Sequence, residues 1–146
     1  MMANNRFKYR AWNKIEKKMY TGLPCSGAGE NGHDTFDIVL KFPQVYEISQ
    51  CVNMHDSEKV LVFEGDYLSD GETVWEVVYR KSMSGFSAKA AGGRIPDECG
   101  WFSLYHLCNG HHGGRKVRVV GNRYEYKGNP SDLLSRDVEE EERTQP

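Results

Sequence analysis

The sequence predicts a mainly β protein: an antiparallel sheet curled into a barrel or half-barrel, with a short C-terminal helix. Apolar and polar residues alternate with period two in several short segments, and no long apolar stripe with the helical period of about 3.6 residues is present. Aromatic residues make up 12% of the chain and suit the half-buried surface of a sheet. Tight turns separate the segments, which is typical of antiparallel rather than parallel α/β folds.

The N-terminal part is predicted to contain four strands and one glycine-rich loop. Its first segment alternates apolar with basic side chains, and a turn at Asn13 leads into a short strand or the far side of a hairpin. The last two strands are separated by Pro43, because a proline cannot donate a hydrogen bond to a strand ladder. The strands span residues 6–12, 15–20, 35–42 and 44–52, and the loop spans residues 22–34.

The middle of the chain is predicted to be a series of short hairpins. An apolar strand leads into the turn Glu64-Gly65-Asp66, and Ser69-Asp70-Gly71 is a strong hairpin signal because aspartate and glycine favour the backbone of tight turns. The run after that signal alternates most regularly. Strands are predicted over residues 60–63, 72–79 and 86–91, with a turn at 82–85 and a loop at 92–97.

The C-terminal part is predicted to be a strand or short helix over residues 101–108, a glycine-rich turn over 109–114 and a strand over 116–126. Asn129-Pro130 then begins a short helix, since proline is favoured in the first helical turn. After Val138 the chain holds four glutamates and no apolar residue, so we expect residues 137–146 to be an acidic disordered tail. Residues 1–136 are predicted to form a single domain.

Composition and charge exclude several classes of protein. The formal net charge of −2 is not the basic excess that nucleic-acid-binding proteins usually show, although the first twenty residues are basic. No apolar run approaches the length of about 20 residues that a membrane-spanning helix needs, and the N-terminus lacks the apolar stretch of a secretory signal. The four cysteines form no CxxC pair, which indicates free thiols. We therefore expect a cytoplasmic protein with no membrane partner.

The turn Glu64-Gly65-Asp66 is the first candidate site. Glycine can adopt the positive φ of a tight turn, and aspartate can accept hydrogen bonds from backbone N–H groups just beyond it. The two acids could instead bind a metal or act as an acid and a base. Two carboxylates this close in sequence, with no third group nearby, make a poor catalytic pair, so a structural role is predicted.

The second candidate is a cluster of residues with zinc-ligand chemistry. Cys108 and His111 have a ligand spacing, and His106 and Cys108 would share one face of a strand. There is no second clean pair, and a nucleophilic Cys108 beside a histidine lacks a recognisable third group. The prediction is therefore no metal and no cofactor, with a zinc-stabilised domain or zinc enzyme as an alternative. The cluster consists of Cys99, His106, Cys108 and His111, with His112 beside it.

The third candidate is the basic side of the first strand, formed by Arg6, Lys8 and Arg10. Cations on one face could meet phosphates, and the neighbouring aromatic residues could stack on unpaired bases. Phe7 and Tyr9 share one parity, however, so they are expected to face the core while the three basic residues face outward without a stacking platform. Binding to nucleic acid is accordingly the alternative prediction for this surface.

Three segments, in order, resemble the YopX family of bacteriophage and prophage proteins. Residues 6–13, Arg-Phe-Lys-Tyr-Arg-Ala-Trp-Asn, followed by Lys-Met-Tyr at 18–20, are similar to the family's K-F-R-A-W-D…K-x-M-Y. Residues 50–66 align without a gap on Q-Y-T-G-L-x-D-x-x-G-x-x-I-[FY]-E-G-D, and residues 119–134 resemble V-I-G-N-I-Y-E-N-P-E-L-L. The chain departs from the family at Val52-Asn53, where Thr-Gly is usual, and at Tyr67. Asn53 can still hold that turn, because asparagine tolerates a positive φ.

The resemblance implies a small, mostly β protein of phage origin, and the family has no assigned activity and no agreed catalytic residues. Since the sequence also shows no convincing catalytic set, we expect a non-enzymatic phage or prophage accessory protein in the cytoplasm of the bacterial host. Its expected partner is another protein or a second copy of itself, because a half-barrel with exposed edge strands can pair with its own copy.

Overall fold

The computed structural model of the chain describes residues 8–21, 36–94, 100–109 and 116–135. Antiparallel strands dominate these residues, and none of their helices is long and apolar enough to cross a membrane. The strands are β1 (Tyr9–Asn13), β2 (Lys18–Thr21), β3 (Tyr46–His55), β4 (Leu61–Phe63), β5 (Asp66–Ser69), β6 (Thr73–Arg80), β7 (Gly85–Gly93), β8 (Trp101–Phe102) and β9 (Arg118–Asn122). The helices are α1 (Phe36–Lys41) and α2 (Leu104–Cys108), and 3₁₀ turns span Lys81–Met83 and Pro130–Asp132.

These strands form two sheets. A four-stranded antiparallel sheet of order β2-β1-β3-β4 is a half-barrel, and a five-stranded antiparallel sheet has the order β8-β7-β6-β5-β9. The prediction of a mainly β fold with an antiparallel half-barrel and a short C-terminal helix is confirmed. The chain divides into two compact units, Met1–Asn53 and Met54–Pro146. The single-domain prediction for residues 1–136 stays a prediction, and the predicted tail at 137–146 lies outside the described residues.

The N-terminal unit is built around a hairpin. β1 pairs antiparallel with β2 on one side and with β3 on the other. The Asn13 side chain closes the hairpin turn, because its Oδ1 accepts hydrogen bonds from the N–H groups of Ile15 at 3.0 Å and Glu16 at 2.9 Å. The hairpin predicted for this segment is confirmed.

Residues 36–41 form the helix α1, so the strand predicted over residues 35–42 is wrong. A short apolar run does not distinguish a strand from a helix by its periodicity alone. The helix ends shortly before Pro43, whose ring disfavours helical geometry in the residue before it. The strand predicted over 44–52 is confirmed as β3, which continues through Asn53, and the φ of Asn53 is 62°, in the left-handed region expected of it.

The C-terminal unit contains a run of hairpins. Asp70 and Gly71 join β5 to β6: the Asp70 carboxylate accepts the N–H groups of Glu72 and Thr73, both at 2.9 Å, and Gly71 has a φ of 94°. The strands predicted over 60–63, 72–79 and 86–91 are confirmed as β4, β6 and β7. The segment 101–108, predicted as a strand or a short helix, contains both, since β8 is followed by α2.

The end of the chain turns twice after β9. The strand predicted over 116–126 ends at Asn122, because the Asn122 Oδ1 accepts the N–H groups of Tyr124 at 3.0 Å and Glu125 at 2.9 Å and turns the chain out of the sheet. The helix predicted after Asn129 begins as a 3₁₀ turn, which the Asn129 side chain caps by accepting the N–H of Ser131 at 3.0 Å.

The two faces of the five-stranded sheet differ in chemistry. On the apolar face, Leu68 lies opposite Trp75 and Val77 opposite Ala88, and all four residues are at most 1% exposed. Side chains alternate between the two faces along a strand. The residues next to these four in their own strands therefore project from the opposite face of the sheet, here called the mixed face. One end of the mixed face is covered, because Tyr67 and Val74 pack there with Leu133, Leu134 and other apolar side chains.

Candidate functional site

The turn Glu64-Gly65-Asp66 is the corner between β4 and β5. Gly65 has a φ of 91°; its N–H donates to the Val77 carbonyl at 2.8 Å, and its carbonyl accepts the N–H of Arg123 at 2.9 Å. Asp66 is 1% exposed, and its Oδ2 accepts the N–H of Phe63 at 2.8 Å, a contact that lies before the turn rather than beyond it. These hydrogen bonds connect the corner to β6 and to the residue that follows β9, and the Asp66 carboxylate stabilises the turn.

The basic residues predicted for an outer surface differ in exposure where the structure describes them. Arg6 lies outside the described residues, and Lys8 is exposed. Arg10 is 7% exposed, and its Nε donates to Ser49 Oγ at 3.0 Å. The prediction that Arg10 faces outward is wrong, because β1 has strands on both sides and the pairing with β3 brings Ser49 beside the guanidinium.

The zinc-type cluster is described only in part, since Cys99, His111 and His112 lie outside the described residues. His106 and Cys108 lie on α2 rather than on a strand, and residues two positions apart on a helix point to different sides. The prediction that they share one face is therefore wrong. Burial, with a contribution from Asp56, raises the pKa of the Cys108 thiol to about 11, so the thiol stays protonated at neutral pH. Within the described segments, no group of three His, Cys, Asp or Glu side chains is placed to hold a metal ion.

The mixed face carries a line of four side chains that spacing in the sequence does not reveal. Tyr67 on β5 lies opposite Glu76 on β6, Glu76 lies opposite Lys89 on β7, and Lys89 lies opposite Trp101 on β8. Neighbouring strands are about 4.8 Å apart, so the line crosses about 15 Å of the sheet. These four residues are called the cross-strand row.

Two cations lie over the tryptophan that ends the row. The Arg80 guanidinium carbon is 4.5 Å from the centroid of the Trp101 ring, and the Lys89 Nζ is 5.7 Å from it, both within the range of about 6 Å for a cation–π contact. Arg80 lies opposite Gly85, and its Nη1 contacts the Met83 sulfur at 3.5 Å. Arg80, Lys89 and Trp101 together are called the cation–tryptophan cluster.

The other end of the row is a group of coupled charges. Burial and the charge of Glu76 raise the pKa of Tyr67, so its hydroxyl stays neutral at physiological pH. The Arg123 guanidinium carbon lies 5.0 Å from the centroid of the Tyr124 ring, and its Nη2 donates to the Tyr124 hydroxyl at 2.9 Å. Burial works against the charge of Arg123, but its contacts with Tyr124, Glu76 and Glu64 outweigh burial and hold its pKa above the ordinary value. Arg123 thus balances part of the negative charge of Glu76.

This arrangement has the chemistry of a recognition surface. It presents an aromatic ring, a carboxylate and two cations side by side, and the tryptophan and arginine among them are residue types enriched at protein interfaces. One signal for it is present in the sequence, because residues 77–94 contain four arginines and lysines and no acid. The Tyr67, Glu76 and Trp101 positions carry no such local signal, since only strand pairing brings them together.

No family model and no curated protein matches this chain. Among solved structures, the crystal structure of protein EF1440 from Enterococcus faecalis is similar, with a TM-score of 0.53 and 22% sequence identity. The alignment covers 86% of this chain and 96% of that chain. At this level of identity the similarity shows a shared fold alone.

Proposed function

We propose that this protein is a non-enzymatic binding module that engages a protein partner through the cross-strand row. The observation that supports this most is the row itself, in which four strands align Tyr67, Glu76, Lys89 and Trp101. Tyr67 is buried at the covered end, so the accessible part is Glu76, Lys89 and Trp101, with Arg80 over the tryptophan ring. Tryptophan and arginine are among the residues that contribute most of the binding energy at protein interfaces.

The sheet suits this role because it holds the row in place. Every member of the row lies on a paired strand, and the buried side chains of Leu68, Trp75 and Val77 fix those strands from the apolar face. Burying one such side chain contributes about 1.5 to 3 kcal/mol. A rigid surface loses little conformational freedom when a partner binds, so more of the contact energy appears as affinity.

Three observations support the remaining parts of the proposal. The pKa of Cys108, raised to about 11, argues against a nucleophilic thiol and supports a non-enzymatic role. The buried Arg10 removes a cation from the surface considered for nucleic acid and favours a protein partner. The resemblance to the YopX family supports a phage or prophage accessory protein that acts in the cytoplasm of the bacterial host.

Capture from a bacterial lysate tests the proposal when wild-type protein is compared with two variants. Trp101→Ala removes the ring at the end of the row, whereas Tyr79→Ala removes a 50% exposed aromatic side chain from the opposite face of β6. We expect Tyr79→Ala to capture the same protein as wild type, and Trp101→Ala to capture at least about tenfold less, as for an interface hot spot.

Equal capture by Trp101→Ala and wild type would contradict the proposal. Far-UV circular dichroism checks that both variants are folded, and Lys89→Ala, at an exposed position, tests the same surface without removing an aromatic ring. If the captured protein is a second copy of this chain, the row is a self-association surface, and light scattering should then show a dimer that Trp101→Ala loses.

A further inference from the structure

We propose that the cation–tryptophan cluster binds an acidic peptide segment of the partner, whose carboxylates accept hydrogen bonds from Arg80 and Lys89. The inference rests on the proposed function, because it names the chemistry of the partner at one end of the same row. The charge of the cluster, the position of Arg80 over the ring and the contacts that already occupy that ring support it.

Two cations, Arg80 and Lys89, lie at this end of the row. They belong to residues 77–94, a segment with four cationic side chains and no acid. Arg94, at the far end of β7, is paired with Glu72 at 3.7 Å, whereas in the described part of the chain neither Arg80 nor Lys89 forms a salt bridge. Glu76 lies opposite Lys89 and offsets part of this charge, but Arg80 and Lys89 together still attract a carboxylate from outside, and the attraction acts over about 8 to 10 Å at physiological salt.

The strand between Arg80 and the ring leaves space for this contact. β7 presents Gly85 opposite Arg80, and Ser87 follows on the same face. Among the described residues, a Cβ atom at Gly85 would meet only a backbone oxygen 3.7 Å away, so these residues leave the space beside Arg80 open at that point. A guanidinium over an aromatic ring keeps N–H groups in its own plane directed away from the ring, and a carboxylate can accept two of them at once.

The occupied face of the Trp101 ring favours the carboxylates of a protein over the stacked bases of a nucleic acid. The Trp101 ring is in contact with Arg80 and Lys89, so a base must displace these cations in order to stack on it. Glu76, the next residue of the row, repels any anion that continues along the row, so the anion must be confined to the cluster itself. A carboxylate needs no stacking on the ring and can accept hydrogen bonds from Arg80 and Lys89 where they lie.

Fluorescence anisotropy with three labelled probes tests the inference on the full chain. The probes are an oligoglutamate peptide, an oligolysine peptide of the same length and a single-stranded oligothymidylate. We expect oligoglutamate to bind most tightly and to weaken when salt rises from about 50 to about 500 mM, because the Debye length falls about threefold. Tighter binding of oligothymidylate would overturn the inference in favour of nucleic acid, and no binding of oligoglutamate would also overturn it.

Two double variants show whether the cluster itself is responsible. Arg80→Gln/Lys89→Gln removes both cations and keeps polar side chains, and we expect about a tenfold loss of affinity for oligoglutamate. Arg94→Gln/Lys116→Gln is the matched control, with the same change in net charge at two exposed positions. Arg94 follows the end of β7 and lies about 17 Å from Lys89 along the strand, beyond the Debye length. Equal losses in the two variants would reduce the effect to net charge and overturn the inference.

The lysate capture separates a failure of this inference from a failure of the proposed function. If Trp101→Ala loses the captured protein and Arg80→Gln/Lys89→Gln retains it, the row binds a partner that does not present acidic groups here, and only the inference is wrong. If Trp101→Ala retains the protein, the proposed function is wrong as well. Loss in both variants, with capture intact in Arg94→Gln/Lys116→Gln, supports both.

Discussion

Replacing Gly65 by alanine tests the corner that joins β4 to β5. The φ of 91° lies in the left-handed region, where a side chain costs about 1 to 2 kcal/mol. An added Cβ atom would also lie 2.8 Å from Cε2 of Tyr124, and overpacking of this kind costs about 1 to 3 kcal/mol. The Tyr124 ring is 2% exposed and bears the guanidinium of Arg123, so it cannot move aside freely. We therefore expect Gly65→Ala to lower the free energy of unfolding by about 2 to 5 kcal/mol.

Gly100→Ala is the control that separates backbone strain from crowding. Gly100 has a φ of 74°, but within the described part of the chain an added Cβ atom there would meet only the Cβ of Ala90 at 4.0 Å. Urea unfolding followed by far-UV circular dichroism measures both variants against wild type. We expect Gly100→Ala to lose about 1 to 2 kcal/mol and Gly65→Ala to lose clearly more. Equal losses would refute the reasoning that the contact with Tyr124 requires glycine at position 65.

Three further predictions concern stability and reactivity. The Asp56 carboxylate accepts hydrogen bonds from the N–H groups of Glu58 at 2.8 Å and of Val60 and Val119 at 2.9 Å. Asp56→Ala should therefore lower the free energy of unfolding, measured in urea, by about 3 kcal/mol. A loss below about 1 kcal/mol would show that water replaces these contacts. Leu133→Ala empties the centre of the cluster with Tyr67 and Val74 and should cost about 2 to 5 kcal/mol, well above the cost of Leu134→Ala at its half-buried neighbour. In a Cys25→Ser/Cys99→Ser variant, mass spectrometry should find that iodoacetamide modifies Cys108 slowly at neutral pH and faster toward pH 11, because burial raises the pKa of the thiol to about 11. Rapid alkylation of Cys108 at neutral pH would contradict the raised pKa. Since the pKa of the thiol in the folded protein exceeds the value of 9.0 for a free thiol, the contribution of Cys108 to stability is intact below about pH 9 and is lost as the pH rises through 11.

The turns were predictable because each is closed by local contacts. The side chains of Asn13, Asp70 and Asn129 accept backbone N–H groups two or three residues further along the chain. Such contacts depend only on residue type and short spacing, and the sequence displays both. The strands between these turns followed from alternation, as β6 and β7 illustrate.

The predictions from sequence are wrong where the position of a residue depends on pairing with a distant strand, or where a segment is too short to show its period. Arg10 alternates with apolar neighbours as an outward residue does, and only the pairing of β1 with β3 places Ser49 opposite it and buries the guanidinium. The run that forms α1 is equally compatible with a strand, because six apolar and polar residues contain too few periods to distinguish the two.

The cross-strand row could not be predicted from the sequence, because it also depends on pairing between strands. It requires the register of three strand pairs, and a slip of one residue in any of them would send a side chain to the other face. The acid-free segment 77–94 indicates in the sequence where positive charge gathers. It does not indicate that the ring of Trp101 lies beside that charge.

Nuclear magnetic resonance of the indole N–H groups tests most directly whether the cation–tryptophan cluster binds carboxylates. The chain has three tryptophans, of which Trp12 is 6% exposed and Trp75 1% exposed, whereas Trp101 lies beside Arg80 and Lys89. Addition of the oligoglutamate peptide should shift the Trp101 signal, assigned by its loss in Trp101→Phe, and leave the other two in place. A Trp101 signal that stays unmoved while the peptide binds would contradict the assignment of this surface.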